Sequence, residues 1–232
     1  MEAGSNAAAT PLAKVRLPPG VKESSRRTLY NRIMQDTIHF EKYGAETDGE
    51  YSLVRITVKP GGGTPTHYHR SYAETFRPVS GILGLMLNGR EIKIGPGEEA
   101  HVPTGSLHRF FNPTSAVPGG MASLDGKEHR YSQDSLEKGD IVFVGEVRPA
   151  HEGFEKGLYI IYGLANDGLS DEKGLPKSWV HLCLCAALSD MYFPGWFDRI
   201  GSIFVNAVAA YARWSGEEEK LLKKYWYFED EN

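Results

Sequence analysis

Cysteine is scarce: the 232 residues include only two, Cys183 and Cys185. They lie two apart in a stretch that reads as helix, where positions i and i+2 do not face each other. An internal bridge is therefore not expected, and there is no disulfide framework to staple the fold. Two thiols alone also make a poor zinc site. The plain reading is a pair of small apolar side chains in a buried helix. A basic excess is missing too. Lys and Arg number 26 against 30 Asp and Glu, a net charge of −4, which removes the electrostatic footprint of a nucleic-acid binder. Long apolar runs are absent: the longest uncharged apolar stretch, 200–212, is too short to span a bilayer. The first twenty residues lack the apolar core of a secretory signal, and Glu2 stands where positive charge is expected. With reduced cysteines, this predicts a cytoplasmic protein.

What is present is an ordinary globular composition, 41% hydrophobic and 24% charged. A chain of this length can bury a core without disulfides. The 26 glycines and 13 prolines favour many turns over long helices. Three regions follow from the pattern. Residues 1–32 are rich in Ala, Ser, Pro and charge and read as a flexible lead-in. Residues 33–150 read as short strands. Residues 51–59 (YSLVRITVK) alternate cleanly. Further strands are expected at 74–79, 82–87, 91–94, 99–102, 107–111 and 140–148. Asn88-Gly89 marks a tight hairpin. This spacing of strands predicts a mainly β sandwich or barrel. Residues 113–139 break the pattern as a long loop, a candidate lid, and His129 within it could reach a barrel mouth. Residues 151–232 read as a helical extension, with Ser178 the expected N-cap of one helix. All four tryptophans lie in this tail, which predicts a packing role: a cap on the β-domain or a homodimer contact, ahead of a membrane-surface helix.

His67, His69, Glu74 and His108 carry the chemistry. On a strand, residues i and i+2 share a face, so His67 and His69 present both imidazoles together. Glu74 follows after a tight connection, and His108 comes later, behind Pro103-Thr104-Gly105. Three imidazoles and a carboxylate suit one divalent transition metal: Fe, Mn, Ni, Cu, Co or Zn. A His-x-His pair alone is common on exposed strands. The surrounding spacing separates this case from that one.

Residues 61–81 read G-(x)5-H-x-H-(x)4-E-(x)6-G, with Gly61, His67, His69, Glu74 and Gly81 in the fixed places. Residues 97–112 read G-(x)5-P-x-G-(x)2-H-(x)3-N, fixed at Gly97, Pro103, Gly105, His108 and Asn112. In these two stretches the chain resembles the cupin superfamily, as a single-domain barrel with both motifs intact. The resemblance implies a jelly-roll β-barrel with metal ligands His67, His69, Glu74 and His108, and it adds the barrel edge to the C-terminal helices as a candidate homodimer contact. It covers roughly residues 33–112, with 140–148 as a late strand, and leaves the helical tail unexplained. Glu98 stands where the family often has Asp. A metal-dependent enzyme on a small oxygenated organic substrate is expected, dioxygenase- or oxidase-like first, with Glu74 doubling as a proton acceptor. Lewis-acid chemistry by a lyase, isomerase, decarboxylase or dehydratase is the alternative. A non-catalytic, metal-anchored binding protein is the reading from another class. Phe76, Phe110 and Arg55 are the weaker pocket candidates, and the apolar content near the site hints at aromatic compounds of specialised metabolism. His101 alternates with apolar neighbours and is expected to point outward.

Overall fold

The computed structural model describes residues 17–113, 139–194 and 201–227. Among these residues nine strands follow in chain order: β1 (Thr28–Asn31), β2 (Asp36–Lys42), β3 (Ser52–Val58), β4 (Ala73–Ser80), β5 (Leu83–Leu87), β6 (Arg90–Ile94), β7 (Ala100–Val102), β8 (His108–Phe111) and β9 (Ile141–Arg148). They form a six-stranded sheet, β1-β2-β3-β9-β4-β7, facing a three-stranded sheet, β6-β5-β8. Every pairing between named strands is antiparallel. The helices are α1 (Pro19–Lys22), α2 (Glu152–Asn166), α3 (Trp179–Leu188), α4 (Ser202–Trp214) and α5 (Glu217–Tyr225).

Alternation decides which side chains fill the interior. In β3, Ser52, Val54, Ile56 and Val58 are buried while Arg55 is exposed. In β9, Ile141, Phe143, Gly145 and Val147 face the same way. Phe76, Phe110 and Phe143 meet edge to face, with ring centroids 5.0–5.9 Å apart, and floor the barrel interior. Asn88 and Gly89, at φ +50° and +82°, make the β5–β6 hairpin, as their sequence predicts.

The sheet starts earlier than the sequence pattern suggested. Thr28–Asn31 pairs with β2, so part of the expected lead-in, residues 1–32, belongs to the fold. Arg27 anchors this entry, donating from Nη1 to the Phe40 carbonyl at 3.0 Å. The rest of the lead-in, up to residue 16, lies outside the described residues. So does the expected lid at 113–139 apart from its two end residues, and His129 with it.

The helices pack across the barrel. The His151 ring caps α2, accepting from the Phe154 N–H at 3.0 Å, and Glu152 and Glu155 favour its N-terminal dipole. Ser178 caps α3 as expected. Trp226, just past α5, is buried edge-on against Tyr43 and Tyr159. Trp179 and Trp214 are exposed on this single chain, so of the three described tryptophans Trp226 is the one that packs on the fold. No helix among the described residues is long and apolar enough to cross a membrane.

Candidate metal centre

Chain geometry gathers the four expected ligands. His67 forms a bridge to His108, with paired backbone bonds of 2.9 and 2.8 Å. Gly105, at φ +80°, turns the chain before His108 and donates its N–H to the His69 carbonyl at 2.6 Å. Glu74 enters from β4, on the face it shares with Phe76. One donor atom from each of His67, His69, Glu74 and His108 lies within 4.8 Å of the others, and all four residues are buried.

The imidazoles are oriented by what lies behind them. His67 Nδ1 meets the Pro65 carbonyl at 2.7 Å, His108 Nδ1 the Ser106 carbonyl at 2.9 Å, and His69 Nδ1 the Asp190 carbonyl at 3.0 Å. A carbonyl only accepts, so each Nδ1 carries the proton and donates. Each Nε2 is then left to face the shared centre, the arrangement found behind metal-ligating histidines.

Charge follows from the same crowding. Burial, with the imidazoles of His108 and His69 close by, pushes the His67 pKa down to about 3, which keeps its ring neutral. Burial raises the Glu74 carboxyl, but His69 and His108 more than offset this and hold it well below the usual carboxylate range. Burial likewise lowers His108, while the Glu74 hydrogen bond at 2.7 Å lifts it above its ordinary value. His69 Nε2 is buried with no hydrogen-bond partner and lies 3.6 Å from Glu74 Oε2. A buried orphan nitrogen is costly, and a cation among these four donors would satisfy it. The donor set fits a divalent transition metal.

The helical extension forms part of the site. Asp190, just past α3, sits at φ +51° and accepts at Oδ2 from the N–H groups of Arg70 and Ser71 and from Ser71 Oγ, each at 2.6 Å. Tyr72 OH donates to the Ser189 carbonyl at 2.9 Å, and its ring stacks on His69 at 4.3 Å. Tyr68 and Tyr192 exchange backbone bonds. The segment 189–192 is thereby tied to the chain that carries two of the histidines.

A cavity of about 130 Å³ opens from the cluster. Val54, Ile56, Phe76, Phe110 and Val147 wall it from the barrel, and Phe154, Leu158 and Cys185 from the helices. Phe76 and Phe110 thus stand where the sequence suggested. Cys183 and Cys185 are buried as expected, and burial pushes the Cys185 thiol up to about 12, so it serves as apolar wall. Arg55 is a correction: it points outward, and its Nε donates to Glu41 Oε1 at 2.7 Å, because its place in the alternation of β3 is the solvent side. His101 points outward as expected, beside Thr75. Sequence reasoning missed Tyr72 and Asp190, which carry no motif. It also missed Asp36, whose one legible signal was an acidic residue in the inward register of Ile38 and Phe40.

Residues 54–125 match the family model described as Cupin domain. Over 102 residues the chain is 36% identical to mannose-1-phosphate guanylyltransferase ManC of Salmonella typhimurium, covering 44% of this chain and 20% of that protein. Over 64 residues it is 33% identical to quercetin 2,3-dioxygenase of Bacillus subtilis, covering 28% and 19%. Over 125 residues it is 30% identical to the probable oxidoreductase patJ of Aspergillus clavatus, covering 52% and 36%. The matched part is thus well under half of each of these proteins.

Proposed function

From the premise that this chain carries a cupin domain, we propose a metal-dependent enzyme acting on a small oxygenated organic molecule, with dioxygenase- or oxidase-like chemistry. The observation that carries this reading is the convergence of three inward Nε2 atoms and the Glu74 carboxylate at one end of an apolar cavity. His67, His69, Glu74 and His108 would hold the divalent ion, which when bound supplies Lewis acidity and, if redox-active, electron transfer with O₂.

The chain's own residues do the rest. The carbonyls of Pro65, Ser106 and Asp190 fix the three rings, so the donors need no reorganisation. Phe76, Phe110 and Phe154 exclude water and hold the apolar body of a substrate against the cluster. Glu74 would accept a proton from a substrate hydroxyl. The likeness to a dioxygenase and to a probable oxidoreductase supports the oxidative course ahead of lyase or isomerase chemistry.

The test is elemental analysis of the purified protein, followed by O₂-electrode measurements with phenolic and enolic compounds. A bound redox metal with substrate-dependent O₂ uptake is expected. Turnover that persists without O₂ and with zinc in the site would establish the Lewis-acid course instead. Bound metal and ligand with no turnover would leave a binding protein.

A further inference from the structure

The cavity has polar lining besides the cluster: the carboxylate of Asp36, with Asn31, Tyr162 and Lys173 also on its wall. Asp36 opens β2 on the inward register of Ile38 and Phe40. It is 7% exposed and lines the same cavity as the ligand cluster. Its Oδ2 accepts from Tyr162 OH at 2.6 Å. Its Oδ1 is buried and has no hydrogen-bond partner, and no cation pairs with it among the described residues.

Helix α2 measures the gap between the two ends. Phe154, Leu158, Ile161 and Tyr162 all line the cavity, at the i, i+4, i+7, i+8 spacing of one helical face. Phe154 packs edge-on against Tyr72, whose ring stacks on His69, so it marks the cluster end. Tyr162 marks the Asp36 end. Eight residues of helix are about 12 Å. Between the ends the walls are apolar, with Ile38, Val54, Ile56 and Leu158 among them.

We propose that Asp36 is a specificity determinant that accepts a hydroxyl donated by the far end of the substrate, while an oxygen at the near end faces the four-donor cluster. This rests on the cluster being the reaction centre. It defines the substrate class: a slender, mostly apolar molecule, about one ring and a short chain in size, with an oxygen function at each end. Such a ligand supplies the donor that Oδ1 lacks, and one without the distal hydroxyl leaves a buried carboxylate oxygen unsatisfied. That asymmetry produces strong discrimination.

The experiment uses the full chain reconstituted with zinc, which is redox-inert. Calorimetric titration compares para-hydroxycinnamate with cinnamate, which differ only in the distal hydroxyl. The wild type should bind the hydroxylated compound about ten-fold or more tightly, the size expected for a hydrogen bond to a charged acceptor. In Asp36→Leu the ratio should fall to near unity with metal content unchanged. Asp36→Asn, which keeps size and an acceptor and serves if the leucine variant does not fold, should give an intermediate ratio. Equal affinities in the wild type, failure of both compounds to bind, or a ratio that survives Asp36→Leu overturns the assignment. Metal content is measured on the same samples. A chain that takes up no zinc but keeps the ratio sinks the metal-centre reading alone; a loaded chain with a ratio of one sinks the Asp36 assignment alone.

Discussion

The barrel and the helices beyond it meet at His69 and hold it by different means. From the barrel side the hold is backbone: the His67–His108 bridge and the Gly105 N–H to the His69 carbonyl. From the helical side it runs through a single turn, where the Asp190 carbonyl takes His69 Nδ1 and the Asp190 carboxylate takes three donors from Arg70 and Ser71. The barrel supplies ligands that its strand pairing would gather on its own. The extension supplies the orientation of one ligand and a wall of the cavity. Metal affinity should therefore respond to changes in both regions, but unequally.

Removing a ligand should have the largest effect. His108→Ala should weaken metal binding by at least about a hundred-fold with the strands retained, read by elemental analysis beside circular dichroism. Retention of full metal would break the account of the barrel. Asp190→Ala comes next. It removes the acceptor for three donors and places Ala at a left-handed φ, so a loss of about 2 kcal/mol and about ten-fold in metal affinity are expected from chemical denaturation and competitive chelation. Asp190→Asn, which tolerates that φ, should lose less.

The seat of the extension sharpens the contrast. A Cβ on Gly153 would lie 2.0 Å from the Leu188 carbonyl oxygen, whereas one on Gly157 would lie 1.9 Å from Ser189 Oγ. A backbone atom cannot rotate aside and a hydroxyl can. Gly153→Ala should thus cost about 1–3 kcal/mol and Gly157→Ala clearly less, by thermal melts of both.

Asp36 gives a pH test with the opposite sign. Its folded-state pKa is raised from 3.8 to about 6, mainly by burial, so the folded chain holds the proton more tightly than the unfolded chain. Ionising it costs stability, a cost that develops between about pH 4 and pH 6 and is complete above that, up to about 3 kcal/mol. Asp36→Asn should therefore stabilise the protein at neutral pH, with the gain fading toward about pH 4. A gain that grows on acidification would contradict the burial. Least of all, Arg55→Ala should change stability by no more than about 0.5 kcal/mol, because its pairing with Glu41 is exposed to solvent.

The two regions also differ in how far they could be read in advance. The strands were legible because alternation and the Asn88-Gly89 turn are local signals, and the ligand set because its spacing repeats a known pattern. Thr28–Asn31 was not, since a four-residue edge strand surrounded by charge carries too little periodicity. Asp190 and Tyr72 were not, because their roles depend on a contact between segments some 120 residues apart in the chain, of which Tyr72 to Ser189 is one.

By itself the sequence determined a mainly β sandwich or barrel, because strand period and turn chemistry act over a few residues, while its motif spacing, by resemblance to a known family, pointed to the metal ligands. Only the tertiary structure decided that the extension closes over His69 and that Asp36 Oδ1 is left without a partner on the cavity wall. Those outcomes depend on how the two sheets and the helices after them share one enclosed volume, and no local pattern encodes that.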